Sequence, residues 1–216
     1  MKRSEMQSAG PLGCAPVAAL FVRADSGYKG MDGVECWDVE RDALKFPGGM
    51  PVVAHPPCRA WGRMSHMAFR TPDWQGQDTD ALNAEKQLAL WAVASVRREG
   101  GVIEHPSGSR LFGGTLPDVN DPLDAWGGYT ISVDQWDFGH VAHKPTKLYV
   151  CGVSRPDLPP VPTRRHGTPT RSIAGNVRGT TRCTQYQREY TPPELRAWLV
   201  AVARGCSKHN KEIDRK

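Results

Sequence analysis

The sequence contains no apolar run approaching the roughly 18 residues of a membrane span, so no membrane-spanning helix is expected. Its start, MKRSEMQSAGPLGCAPVAALFV, has an apolar stretch too short and too far in for a signal peptide. Six cysteines, at 14, 36, 58, 151, 183 and 206, form no C-x-x-C pair, which speaks against a zinc knuckle and a disulfide framework. Reduced thiols and a cytoplasmic location are therefore expected. No internal repeat is visible, so a solenoid or propeller is not indicated. Acidic residues run short at one end: positions 161–216 hold 4 Asp+Glu against 12 Lys+Arg (+8), whereas 1–160 hold 19 against 16 (−3). Clustered arginines without balancing acids suit phosphate contacts or form a solvated basic tail.

What is present fits one domain: 216 residues, 39% hydrophobic, enough for a real core. Residues 1–15 are rich in Ser, Gly and Pro and read as a flexible lead-in. Short apolar runs follow at VAALFV (17–22), VECWDVE (34–40) and PVVA (51–54), each bounded by turn formers and each read as a strand. Residues 80–98 repeat apolar side chains at helical spacing (Leu88, Trp91, Ala92, Val96) up to Gly100-Gly101, and GVIEHP (101–106) is a further strand. YTISVDQWDFG and KPTKLYVCG read as a pair of strands. Residues 154–190 hold many prolines and arginines and read as an extended segment. A C-terminal helix over 191–205 follows, packing on the domain, with Thr191 as cap and Gly205 as stop, and 206–216 reads as a frayed tail. The fold class expected is α/β.

The most informative stretch is AHPPCRAWG. Strand-type residues are halted at Pro56-Pro57, because proline cannot donate to a ladder, so Cys58 lies just past a strand end. Ligands of open α/β sheets bind at that edge, and a thiol there is a candidate nucleophile; a buried structural cysteine is the competing reading. Strand, cysteine turn, helix and the strand of VIEHP form one βαβ unit. Parallel strands end on the same edge, so Glu104 can lie beside Cys58. The zinc-deaminase pattern H-x-E with P-C-x-x-C is absent, since Trp61 occupies the second cysteine position.

AHPPC followed by VIEHP resembles the proline-cysteine and glutamate motifs of the DNA cytosine-5 methyltransferases, and QWDFGHVAHKPTKLYV resembles a segment of their shortened, phage-encoded relatives. The likeness covers roughly Val17 to Val153. It implies a Rossmann-like, methyltransferase-type domain over 16–153 and pyrimidine C5 chemistry. C5 is a poor nucleophile until a thiolate adds to C6, and a carboxyl group on the N3 and N4 edge stabilises the charge that then develops. On this likeness Cys58 is the nucleophile and Glu104 the partner of N3 and N4. Pro56 and Pro57 fix the turn, and His55 and His105 orient the base, shuttle protons, or bond their own turns.

The likeness implies S-adenosylmethionine as cofactor, near Phe21, Asp25, Ser26, Asp38 and Pro56. The family's glycine-rich turn, however, is replaced by LFVRADSGYKG, where Arg23, Ala24 and Asp25 would crowd a ligand. Candidate nucleic-acid contacts are Arg59, Arg63, Lys144, Lys147, Arg164, Arg165 and Arg171. The family's large target-recognition domain has no room here. The expected partner is therefore DNA or a pyrimidine nucleotide. A free nucleotide substrate or another co-substrate, and an inactive relative that binds DNA or a host protein to counter restriction, are the alternatives.

Overall fold

The computed structural model describes residues 15–62, 65, 79–163, 165–173, 175 and 177–213; residues 1–14 of the expected lead-in, Arg63, Arg164 and the last three residues of the tail lie outside these. Six strands form one mixed sheet: β1 (Val17–Leu20), β2 (Val34–Trp37), β3 (Val52–Ala54), β4 (Gly101–Pro106), β5 (Tyr129–Asp134) and, after the two-residue β6 (Ala142–His143), β7 (Pro145–Cys151). Their order is β2-β1-β3-β4-β7-β5. The first four run parallel, and β7 lies antiparallel between β4 and β5.

Both faces of the sheet are covered, which is why β1 and β3 are apolar throughout rather than alternating. Ala18, Leu20 and Ile103 pack beneath α1 (Thr79–Glu99), while Val17, Ala19 and Val102 pack beneath the C-terminal helix. On α1 the buried stripe is Leu82, Ala89, Ala92, Val93 and Val96; Leu88 and Trp91 flank it half-buried, and Trp91 meets Phe21 edge-on. Among the described residues no helix is long and apolar enough to cross a membrane.

Two expectations change. The basic segment 154–190 is not merely extended: β8 (Arg171–Ser172) pairs with β6 and β9 (Thr181–Arg182) with β8 in a small parallel sheet, and α2 (Gln185–Glu189) follows. Thr184 and Gln187 form a reciprocal capping box at the start of α2. The C-terminal helix, α3, runs Pro193–Ile213, so Gly205 does not end it. A Cβ at Gly205 would lie 3.2 Å from a Val153 methyl, so the glycine lets the helix pass close to the chain beyond β7.

Gly101 is the tightest point of the sheet. It pairs with Val52 at φ +131°, and a Cβ there would run into the Val52 carbonyl. Gly101→Ala is expected to lose about 3 kcal/mol or more in urea unfolding, while Gly30→Ala, with open space around it, stays within about 0.5 kcal/mol.

Candidate active site

The chain runs out from β1 in one direction to β2, while β3 lies on its other side, so the topological switch falls between β1 and β3. Crevices at the carboxyl ends of such strands are where α/β sheets bind ligands. A cleft of about 440 Å³ opens there, between the turn after β1 and the segment after β3, with α2 along one wall.

Each of its key side chains is placed by a local device. Phe21, at φ +57°, turns the chain sharply off β1. The His55 amide donates to the Leu20 carbonyl at 3.0 Å, tying the end of β3 to β1 before Pro56-Pro57 stops the ladder. Cys58 then opens a single 3-10 turn, Arg59–Trp61, with no side-chain cap bond, and its residue is exposed. Trp61 packs half-buried on Ala60 and Leu82, a core role.

Glu104 enters from β4 on the α3 face. Its Oε2 accepts from His55 Nδ1 at 3.1 Å and its Oε1 accepts from Gln135 Nε2 at 2.8 Å. Gln135, fully buried at the end of β5, also donates to Thr146 Oγ1 on β7, and Thr146 donates in turn to the Lys144 carbonyl. His55 Nε2 meets the hydroxyl of the buried Tyr28 at 2.9 Å. Burial alone would push the Glu104 carboxyl up; the His55 hydrogen bond and the Lys144 charge outweigh it and bring the group down to about 2. Glu104 is therefore a carboxylate at working pH, and the proton of the His55 contact sits on Nδ1. Each of its oxygens retains lone-pair capacity for a ligand.

Cys58 responds to the same charge in the opposite sense. Partial desolvation first, then the Glu104 carboxylate, raise its thiol above the ordinary range, with Lys144 opposing. The resting protein thus holds an accessible but protonated nucleophile. Alkylation of Cys58 by iodoacetamide is expected to titrate above the ordinary thiol value of about 8.5, and Glu104→Gln is expected to move that midpoint down.

The structure brings Cys58, Glu104, Pro56, Pro57, Phe21, Asp25, Ser26, Arg59 and Lys144 to the walls of this cleft. His105 is fully buried beside it: Nδ1 pairs with Ser109 Oγ at 2.7 Å, Nε2 has no hydrogen-bond partner among the described residues, and burial holds the ring neutral. Asp38 lies off the cleft, its side chain 4% exposed, held by Lys29 Nζ at 2.7 Å and by the amides of Glu40 and Arg41.

Of the five described cations expected to meet nucleic acid, three are engaged by side chains of the protein. Arg59 forks onto Glu85 on α1, Lys147 Nζ pairs with Asp118 at 2.6 Å, and Arg165 lies over the Trp136 ring at 4.1 Å. Arg171 sits half-buried in β8. Residues that sequence reasoning did not reach are Tyr28, Gln135, Tyr186 and Arg196, and Arg188 was reached only as the end of the basic stretch 164–188 expected to contact phosphates. The Thr184-x-x-Gln187 capping box was the available signal for α2, which carries two of them. Arg23 ties α2 over the cleft, pairing with Glu189 at 2.6 Å and lying over the Tyr186 ring. No protein-family model matches the chain, and no curated protein is similar to it, so the side chains themselves carry the functional argument.

Proposed function

We propose that the protein activates C5 of a pyrimidine by reversible covalent addition of Cys58 to C6, as a small, methyltransferase-like α/β enzyme related to the DNA cytosine-5 methyltransferases. The observation that carries this reading is the juxtaposition of an accessible thiol and an ionised, doubly held carboxylate in one cleft at the switch point of the sheet. A parallel sheet with one antiparallel strand and helices on both faces supports the methyltransferase-type reading of the fold.

The chemistry follows from the groups present. Glu104 accepts from the exocyclic amino group of the base. Cys58 gives up its proton to water in the cleft and the thiolate adds to C6, moving the C5–C6 electron pair toward C5 and N3. A proton relayed from water through the Glu104 carboxylate neutralises the charge that builds on N3; the His55 Nδ1–H and Gln135 Nε2 hold that carboxylate in place, and Tyr28 steadies the far side of His55. C5, now enamine-like, takes a proton from water. Loss of the other C5 hydrogen and expulsion of the thiolate restore the base. This cycle exchanges hydrogen at C5 without a co-substrate; with an electrophilic donor it becomes C5 substitution.

The residues present do not fit S-adenosylmethionine as the likeness would place it. Of the two acids at the end of β2 expected to accept from its ribose, Asp38 and Glu40, Asp38 is committed to Lys29 and two amides, and the turn after β1 carries an Arg23–Asp25 pair where the family has glycines. No step is routed through that group.

Mass spectrometry of nucleosides from DNA and from the soluble nucleotide pool of cells expressing the protein tests the function. A C5-modified pyrimidine in either fraction, absent with Cys58→Ala, is expected. Equal spectra from the two strains would overturn it.

A further inference from the structure

The cleft contains more cationic capacity than the chemistry at Cys58 uses. Five cations line it, and two are neutralised: Arg23 by Asp25 and Glu189, and Arg59 by Glu85. The fourth cleft carboxylate, Glu104, is held by His55 and Gln135. Lys144, Arg188 and Arg196 remain; all three are half-buried, and among the described residues none forms an ion pair with a carboxylate.

Two of the three are steered to one place. Lys144 Nζ donates to the Tyr190 carbonyl at 3.1 Å, and Arg196 Nη1 donates to the carbonyl of the next residue, Thr191, at 2.9 Å. These bonds anchor both cations on consecutive carbonyls while leaving most of their donors unused, since an ammonium has three and a guanidinium five. Gly27 makes room for the arrangement: a Cβ there would collide with the Arg196 guanidinium. Lys144 also acts electrostatically on both Cys58 and Glu104, so this cationic end lies within reach of the reacting groups.

From this geometry we infer that Lys144, Arg196 and Arg188 form a phosphate site, and that the substrate is a free pyrimidine nucleoside 5′-monophosphate with its base toward Cys58 and its phosphate at the Tyr190–Thr191 link. The inference rests on the reading of Cys58 and Glu104 as the base end of the cleft. A monophosphate is favoured over a DNA strand by two observations. The cleft, at about 440 Å³, has the size of a small-molecule site. Of the cations expected to meet a strand, Arg59 and Lys147 are paired with Glu85 and Asp118, whereas Lys144, Arg188 and Arg196 line the cleft without a carboxylate partner among the described residues.

Calorimetric titration of the full chain with deoxycytidine and deoxyuridine 5′-monophosphates, with the two nucleosides, and with a short cytosine-containing single strand tests this. At least one monophosphate is expected to bind about 10-fold or more tighter than its nucleoside and tighter than the strand. Lys144→Ala and Arg196→Ala should each weaken it by about 10- to 100-fold, and Arg196→Ala should do so with a far smaller change in nucleoside binding. Arg188→Ala provides a third variant should either of these fail to fold. Equal binding of monophosphate and nucleoside, folded variants that bind the monophosphate as the parent does, or tighter binding of the strand overturns the inference. Because binding is read without turnover, and the difference between monophosphate and nucleoside affinity is measured in Cys58→Ala as well as in the parent, this outcome is separate from that of the covalent chemistry.

Discussion

Cys58→Ala is expected to reduce C5 hydrogen exchange in a bound pyrimidine by on the order of 10⁴-fold or more, the scale seen when a covalent nucleophile is removed. Cys58→Ser should do little better, because an alkoxide is far harder to form than a thiolate at neutral pH. The structure makes this a clean experiment. The Cys58 residue is exposed and its side chain caps nothing, so either substitution should leave stability within about 0.5 kcal/mol. An exchange rate lost while the unfolding curve is unchanged assigns the chemistry to the sulfur. Because burial and Glu104 lift the thiol, the parent's exchange rate should rise with pH through neutrality and beyond the ordinary thiol range.

Glu104→Gln should act in opposite directions on two readouts. Exchange is expected to fall by about 10²- to 10³-fold, as when a charge-stabilising group is removed from an active site. Alkylation of Cys58 near neutral pH is expected to accelerate, because the carboxylate that raises the thiol is gone. A collapsed site would not produce that pair of changes. The surroundings tolerate the exchange of carboxylate for amide: His55 Nδ1 can still donate to its oxygen, and Gln135 carries a buried, unpaired Oε1 that can accept from the new amide group after a flip. Glu104→Ala is a poorer probe, since it strands both Gln135 and His55 in a buried pocket.

Much of this site was legible in the sequence, for physical reasons. Proline stops a strand wherever it occurs, so Pro56-Pro57 located Cys58 at a strand end, and the parallel βαβ reading carried Glu104 to the same edge. The strand residues of β1 and β3 are apolar without alternation because helices cover both faces, and that signal survives in the sequence. The partners of Glu104 were not legible. Gln135 reaches it only because β7 inserts antiparallel between β4 and β5, a choice that local patterning does not encode. Tyr28 and His55 meet across residues that share no periodic pattern. Charge misled where it was counted rather than paired. Arg59, Lys147 and Arg165 read as phosphate contacts along the chain and each also has a partner within the fold, while Lys144 lines the cleft with Cys58 and Glu104. Asp38 sits at the strand end where a ribose acid was expected, but Lys29 and two amides claim it. Glycine at 205 reads as a helix stop by composition and serves close packing instead.

Incubation of the protein in heavy water with deoxycytidine and deoxyuridine 5′-monophosphates and with a cytosine-containing strand, followed by mass measurement of the recovered bases, tests the covalent claim most directly. The account predicts deuterium entering C5 of at least one of these pyrimidines, without any added donor, at a rate that disappears with Cys58→Ala and falls sharply with Glu104→Gln. No incorporation by the folded parent, or incorporation at the same rate with Cys58→Ala, would contradict it.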